Sequence, residues 1–157
     1  MSSSRCPILI LGIGNILLGD EGVGVRVIEQ MEGIVPPDDV ELVDGGTGGA
    51  DLLEIIAERE KVIVIDAVEA DREPGDVLRL SVEDLFRPVQ ARMSLHEIGL
   101  AESLIMAKQL NCAPKEVVIF GVKPKSTECG LDLSKEVAAC VPKVIELVFE
   151  EVNNAAR

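Results

Sequence analysis

Two carboxylates and one imidazole stand where a sheet could deliver them to one place: Glu21, Asp66 and His96. Asp66 closes the apolar run VIVIDA. A carboxylate directly after a buried strand is costly unless it is hydrated, paired or ligating. An exposed strand end or a helix cap is the plainer explanation. His96 is the only histidine. Ser94-x-x-Glu97 has the form of a capping box, with Ser94 as N-cap and Met93 and Ile98 as the hydrophobic staple. That assignment puts His96 in the first turn of a helix, where the dipole disfavours the imidazolium and leaves the neutral ring that binds metals. A lone surface histidine is the alternative. HEIGL is not the HExxH zinc-protease motif, because position 100 is Leu. One imidazole and two carboxylates suit a nitrogen/oxygen site for zinc, nickel, manganese or iron(II). Three protein ligands leave coordination positions open, as exchange or catalysis requires.

Glu21 lies in the loop GIGNILLGDEGVG, which admits three readings. A dinucleotide loop needs GxGxxG, but the third glycine position holds Leu17, and no GK[ST] makes a P-loop. Asp20 and Glu21 would also sit at a helix N-terminus, where a pyrophosphate requires positive potential. A structural loop is the second reading, with glycines for a tight turn and acids that complement the helix dipole. In the third, Glu21 is a ligand, and Gly22 and Gly24 weaken the helix while letting another chain come close. A second glycine loop, Asp44-Gly45-Gly46-Thr47-Gly48-Gly49, follows the next strand. By itself it reads as a φ-positive connection.

The elements that must position these residues alternate along the chain. Ile8–Ile13 is a continuous apolar run, the mark of a strand buried on both faces. A helix is expected from about Asp20, with Val23, Val27, Ile28 and Met31 on one face and Pro36-Pro37 ending it. Residues 40–43 form a second strand, residues 52–56 a short helix, and VIVIDA a third strand. Glu73-Pro74-Gly75-Asp76 is a turn. Val77–Leu80 reads as a shorter strand, antiparallel at the sheet edge. Residues 83–93 read as loop with one helical turn. A helix over 94–110, a strand over Glu116–Val122 and an amphipathic helix over 134–152 complete the chain. This order predicts an α/β fold with a mostly parallel sheet and helices on both faces. Ligands bind such sheets at the carboxyl ends of the strands, where strand order reverses.

A length of 157 residues predicts a single domain over 1–157. The 47% hydrophobic content includes no Trp or Tyr, so the core is aliphatic. A net charge of −13 argues against nucleic acid and anionic membranes as partners. Cys6, Cys112, Cys129 and Cys140 lack CxxC spacing and read as buried or incidental thiols of a reducing compartment. The run Pro7–Leu11 is too short for a signal peptide, and no segment reaches the ~18 apolar residues of a membrane span. A cytoplasmic protein is expected, and a monomer is the simplest assumption.

The loop GIGNILLGDEGVG, the loop DGGTGG, the strand end IDA and the segment SLHEIGLAE occur in the order seen in hydrogenase maturation endopeptidases, and the chain resembles that family from Ile8 to about the last helix. The resemblance implies a five-stranded twisted sheet between helix layers. It implies removal of a C-terminal peptide from the large-subunit precursor of a nickel–iron hydrogenase. It implies Glu21, Asp66 and His96 as metal ligands. Asp44, Gly45, Gly46 and Thr47 match the family's DGGT loop and are implied in binding or positioning substrate. The nickel is implied to arrive on the precursor, so that the three ligands check a loaded centre; zinc or cadmium could occupy the same site. Asp66, Asp44 and a metal-bound water all stand as candidate bases. A non-proteolytic nickel-recognising chaperone for the same precursor is the alternative, and a nucleotide- or phosphate-binding enzyme a third reading.

Overall fold

The computed structural model describes residues 5–34, 38–47, 51–85, 91–92 and 95–155; within these, the side chains of 51, 85, 91–92, 95–98 and 155 lie outside the description. In chain order the elements are β1 (Ile8–Ile13), a 3-10 turn (Gly19–Gly22), α1 (Val23–Met31), β2 (Val40–Gly46), α2 (Asp51–Ile56), β3 (Lys61–Ala67), β4 (Glu69–Ala70), β5 (Val77–Leu80), α3 (Val82–Leu85), β6 (Ala91–Arg92), α4 (Leu95–Gln109), β7 (Glu116–Val122) and α5 (Lys135–Ala155).

Five strands form one sheet in the order β2-β1-β3-β7-β5. The first four are parallel, and β5 runs antiparallel to β7 at the edge. All of β1 and β3 is buried, as expected of parallel strands covered on both faces. Alternation divides their side chains between two layers. Ile8, Ile10, Ile63 and Ile65 pack with α1 and α5. Leu9, Leu11, Val62 and Val64 pack with α2 and α4. α5 contributes Val137, Val141, Val144, Val148 and Val152, all buried at the three- and four-residue spacing of a single helix face. The strands flanking β1 are β2 and β3, so the chain reverses its direction across the sheet at β1. Their carboxyl ends form the crevice where such sheets bind ligands.

Two features depart from the sequence-based expectation, the end of β2 and the ladder at Ala91–Arg92. β2 extends to Gly46 instead of stopping at residue 43, because Asp44 and Gly46 still pair with Gly12 and Ile13, with a register shift that leaves Gly45 as the extra residue. Glycines carry no strand preference, so this extension reads as loop. Within 83–93, α3 begins at Val82, and Ala91–Arg92 pairs with Glu69–Ala70 as a two-stranded ladder. Two-residue strands are too short for any periodicity to register. The four cysteines are free, with Cys129 exposed and the other three only partly buried. Ser94, Met93 and Pro36-Pro37 lie outside the described residues.

At the amino end of the strands, Lys61 is buried and bonds Glu151 of α5 through Oε1 at 2.7 Å, while Arg79 of β5 bonds Glu151 Oε2 at 2.7 Å. The Arg79 hydrogen bond, followed by that of Lys61, holds the Glu151 carboxyl below its usual range against the opposing effect of burial. This ionic cluster lies at the opposite end of the sheet from the crevice and ties the central strand, the antiparallel edge and the last helix together.

Candidate functional site at the carboxyl ends of the strands

Asp66 is the sixth residue of β3, paired across to Gly121 of β7, and 1% exposed. It is therefore neither a solvated strand end nor a helix cap. Its Oδ1 accepts the Ala67 N–H at 2.8 Å, and its Oδ2 is buried as well. Alternation places Asp66 on the same sheet face as Val62 and Val64, the face covered by α4. The first turn of α4 contains His96; its side chain lies outside the described residues. The end of β3 and helix α4 thus share one side of the sheet.

Glu21 arrives from the other direction, in the 3-10 turn ahead of α1. Glycine lets that turn sit low over the sheet. A Cβ on Gly24 would lie 2.1 Å from the Ile65 carbonyl oxygen and 2.5 Å from that of Ile13. A Cβ on Gly14 would lie 2.1 Å from the Glu21 oxygen, and one on Gly22 would lie 2.7 Å from the Ile16 Cα. The close approach expected at Gly22 and Gly24 is therefore made by the protein's own backbone, not by another chain. Because Ile65 precedes Asp66, the same contact draws the turn bearing Glu21 toward the end of β3. The turn packs directly against β3.

Asp20 has a different role from the dipole-complementing acid expected. It is 1% exposed, and its carboxylate faces the 125–134 segment. Oδ2 accepts the N–H groups of Lys125 and Ser126 at 2.9 and 3.1 Å and the Ser134 hydroxyl at 2.8 Å. Oδ1 accepts the Ser134 N–H at 2.7 Å. Burial pushes its pKa upward, and the hydrogen bonds led by Ser134 outweigh that and hold it below the usual value. Sequence reasoning missed this role, since every partner lies more than 100 residues away.

Six backbone donors of the first loop are used internally. Gly14 donates to the Gly46 carbonyl, Leu17 to Asn15 Oδ1, Leu18 to the Asn15 carbonyl, Gly19 to Gly130, Asp20 to Ser126 and Glu21 to Leu18. A phosphate cradle requires such groups to point at the ligand. The loop is not built for one, which removes the nucleotide reading.

Asp44 is exposed, and its Oδ1 accepts the Gly46 N–H at 2.8 Å. It pairs with Gly12, which on its other side pairs with Ile65. Asp44 and Asp66 are thus about two strand spacings, roughly 10 Å, apart along the sheet, and alternation turns them to opposite faces. They do not form one acid–base pair. Of the glycine loop, Gly46, Thr47 and Asp44 line a cavity of about 310 Å³ with residues 14–17 and Val25. Gly45 does not: a Cβ there would meet Leu11 and Ile13 in the sheet. Gly48 and Gly49 lie outside the described residues.

The structural comparison points the same way as this geometry. The HybD hydrogenase maturating endopeptidase of Escherichia coli superposes with a TM-score of 0.86 at 35% identity, covering 94% of this chain and 93% of that one. A family model described as HycI, hydrogenase maturation protease, matches residues 25–151. The chain belongs to the hydrogenase maturation protease family. The hydrogenase 2 maturation protease of Escherichia coli is 38% identical over 144 residues, 90% of this chain and 88% of its own length. A putative hydrogenase maturation protease of Methanocaldococcus jannaschii is 36% identical over 150 residues, 92% of this chain and 96% of its own. This maturation protease is an endopeptidase with a five-stranded, mostly parallel sheet and flanking helices, and among its described residues no helix is long and apolar enough to cross a membrane. Asp66 stands at the end of β3, and the turn that bears Glu21 packs against the same strand.

Proposed function

We propose that this maturation protease removes the C-terminal extension of a nickel-loaded nickel–iron hydrogenase large-subunit precursor in the cytoplasm, acting as a single-domain monomer. Glu21, Asp66 and His96 are the residues that meet the metal centre, and the nickel is carried in by the substrate. The observation that carries this reading is the burial of Asp66 at the strand-order switch, on the sheet face covered by the helix that carries His96 in its first turn. A carboxylate buried at that place is of the kind that pairs with a cation. A metal bound at this donor set supplies Lewis acidity toward a carbonyl. The protein's own contribution is to orient the ligands and hold the precursor tail along the carboxyl edge of the sheet, where Asp44, Gly46 and Thr47 meet it.

The test compares nickel-loaded and nickel-free precursor, with loss of the C-terminal peptide followed by mass spectrometry. Loaded precursor is expected to be cut and nickel-free precursor spared. Equal cutting of both would overturn nickel recognition, and a stable complex with uncut precursor would point to a non-proteolytic chaperone. Asp66→Asn and His96→Ala are each expected to slow processing by at least about 100-fold with far-UV circular dichroism and melting temperature preserved. Wild-type rates in either variant would remove that residue from the site.

A further inference from the structure

We infer that the cavity between the first two loops is a specificity subsite that takes one aliphatic side chain of the substrate, from a residue flanking the bond to be cut; this rests on the endopeptidase reading above. Its size of about 310 Å³ is at the low end for small-molecule sites. It suits one side chain with adjoining backbone better than a cofactor. The lining is mainly apolar, with Ile16, Leu17 and Val25 forming walls and floor. Leu17 is 60% exposed at the mouth, a large apolar residue left to water beside a concave apolar surface.

The chemistry of the rim disfavours an anionic occupant. Asp44 is the one charged residue among those lining the cavity, and no Lys, Arg or His is among them. A phosphate or a chain-terminal carboxylate would find no cation. The amides of Gly14, Leu17 and Gly46 are already donated within the protein. An internal residue of an extended peptide brings no such anion, and an aliphatic side chain matches the mainly apolar lining.

Approach is open at the required place. Gly46 has φ +54, and among the described residues nothing lies within 4 Å of where its Cβ would be, in contrast to the crowded positions at Gly12, Gly14, Gly22, Gly24 and Gly45. β2 is the outer strand of the sheet, so a peptide can lie along its end and place alternate side chains inward. The cavity also adjoins the ligand turn. Gly14 lines it, and the Glu21 carbonyl packs directly against Gly14. A side chain seated here therefore holds the neighbouring peptide bond next to Glu21.

The experiment uses nickel-loaded hydrogenase large-subunit precursor with the two residues flanking the cleaved bond replaced in turn by Ala, Val, Leu and Phe. Wild-type enzyme is expected to prefer Val or Leu over Ala at one of the two positions, by about 10-fold or more in kcat/KM. Ile16→Ala enlarges the cavity and is expected to shift preference toward Phe at that position. Ile16→Phe fills it and is expected to shift preference toward Ala. Opposite shifts cannot come from general unfolding. Binding of the same precursors to the Asp66→Asn enzyme, followed by fluorescence anisotropy, reads the preference without cleavage. Absence of cutting by the wild-type enzyme, with the binding preference of the Asp66→Asn enzyme intact, would sink the endopeptidase reading and keep the subsite. Cutting whose side-chain preference is unmoved by both Ile16 variants would overturn the subsite and keep the endopeptidase.

Discussion

The Asp20 carboxylate joins two pieces of chain 105 to 114 residues apart in sequence. Its four accepted hydrogen bonds are charge-assisted, each of a kind worth about 1.5–3 kcal/mol. They pin the 125–134 segment to the turn that carries Glu21. Asp20→Asn keeps the shape but turns an NH2 group toward donors that need an acceptor. A loss of about 2–4 kcal/mol is expected in urea unfolding at neutral pH. An unchanged midpoint would mean that these bonds do not hold the segment. The neighbouring Glu21 is partly exposed and belongs to the candidate site, so Glu21→Gln should leave the same midpoint nearly unmoved while impairing processing. Two adjacent acids are thereby separated, one by stability and one by activity.

At the level of elements, the determining contact is α1 against the carboxyl ends of β1 and β3. On an exposed helix, Gly→Ala gains about 1 kcal/mol from helix propensity. At Gly24 the new methyl would meet two backbone oxygens, of Ile65 and Ile13, at 2.1 and 2.5 Å. Neither can swing away as a side-chain tip would. Helix α1 must lift from the sheet, and overpacking of this kind costs about 1–3 kcal/mol or more. Gly24→Ala is therefore expected to lower the melting temperature despite its better propensity, and to reduce processing because Glu21 rides on the displaced turn. A variant as stable and active as wild type would show that the helix does not set the position of Glu21.

Across the whole molecule, Lys61, Glu151 and Arg79 link β3, α5 and β5 at the end of the sheet remote from the site. Glu151 is held below its ordinary pKa of 4.5, first by Arg79. A carboxyl whose folded pKa is depressed contributes stability that is present above its unfolded value and lost as pH falls through the folded one. Unfolding free energy is thus expected to fall as pH drops below about 4.5, and Glu151→Gln should flatten that part of the profile. Equal acid slopes for the two proteins would exclude Glu151 as a source. Removing Lys61 at neutral pH leaves Glu151 with only the more exposed Arg79, and Lys61→Met is expected to cost about 3 kcal/mol. Processing activity per folded molecule should stay unchanged, because the cluster lies across the sheet from the crevice.

The order of elements was legible from local pattern. Apolar runs such as Ile8–Ile13 and Val62–Ile65 can only be strands buried on both sides, and the 134–152 repeat of Val can only be one buried helix face. At the strand ends the sequence marks Asp66 as a carboxylate after a buried run, with an exposed strand end or a helix cap equally open, and its burial in the structure decides against both. What tertiary structure decided are the relations between distant segments. It made Asp20 a clamp on Ser134, used the room at Gly22 and Gly24 for the chain's own backbone, extended β2 into its glycines, and left Gly46 uncrowded among the described residues. The physical reason is the same throughout. Periodicity and residue type report on a neighbourhood of a few positions, whereas hydrogen-bond partners and close backbone approaches are set by which segments the folded sheet brings together.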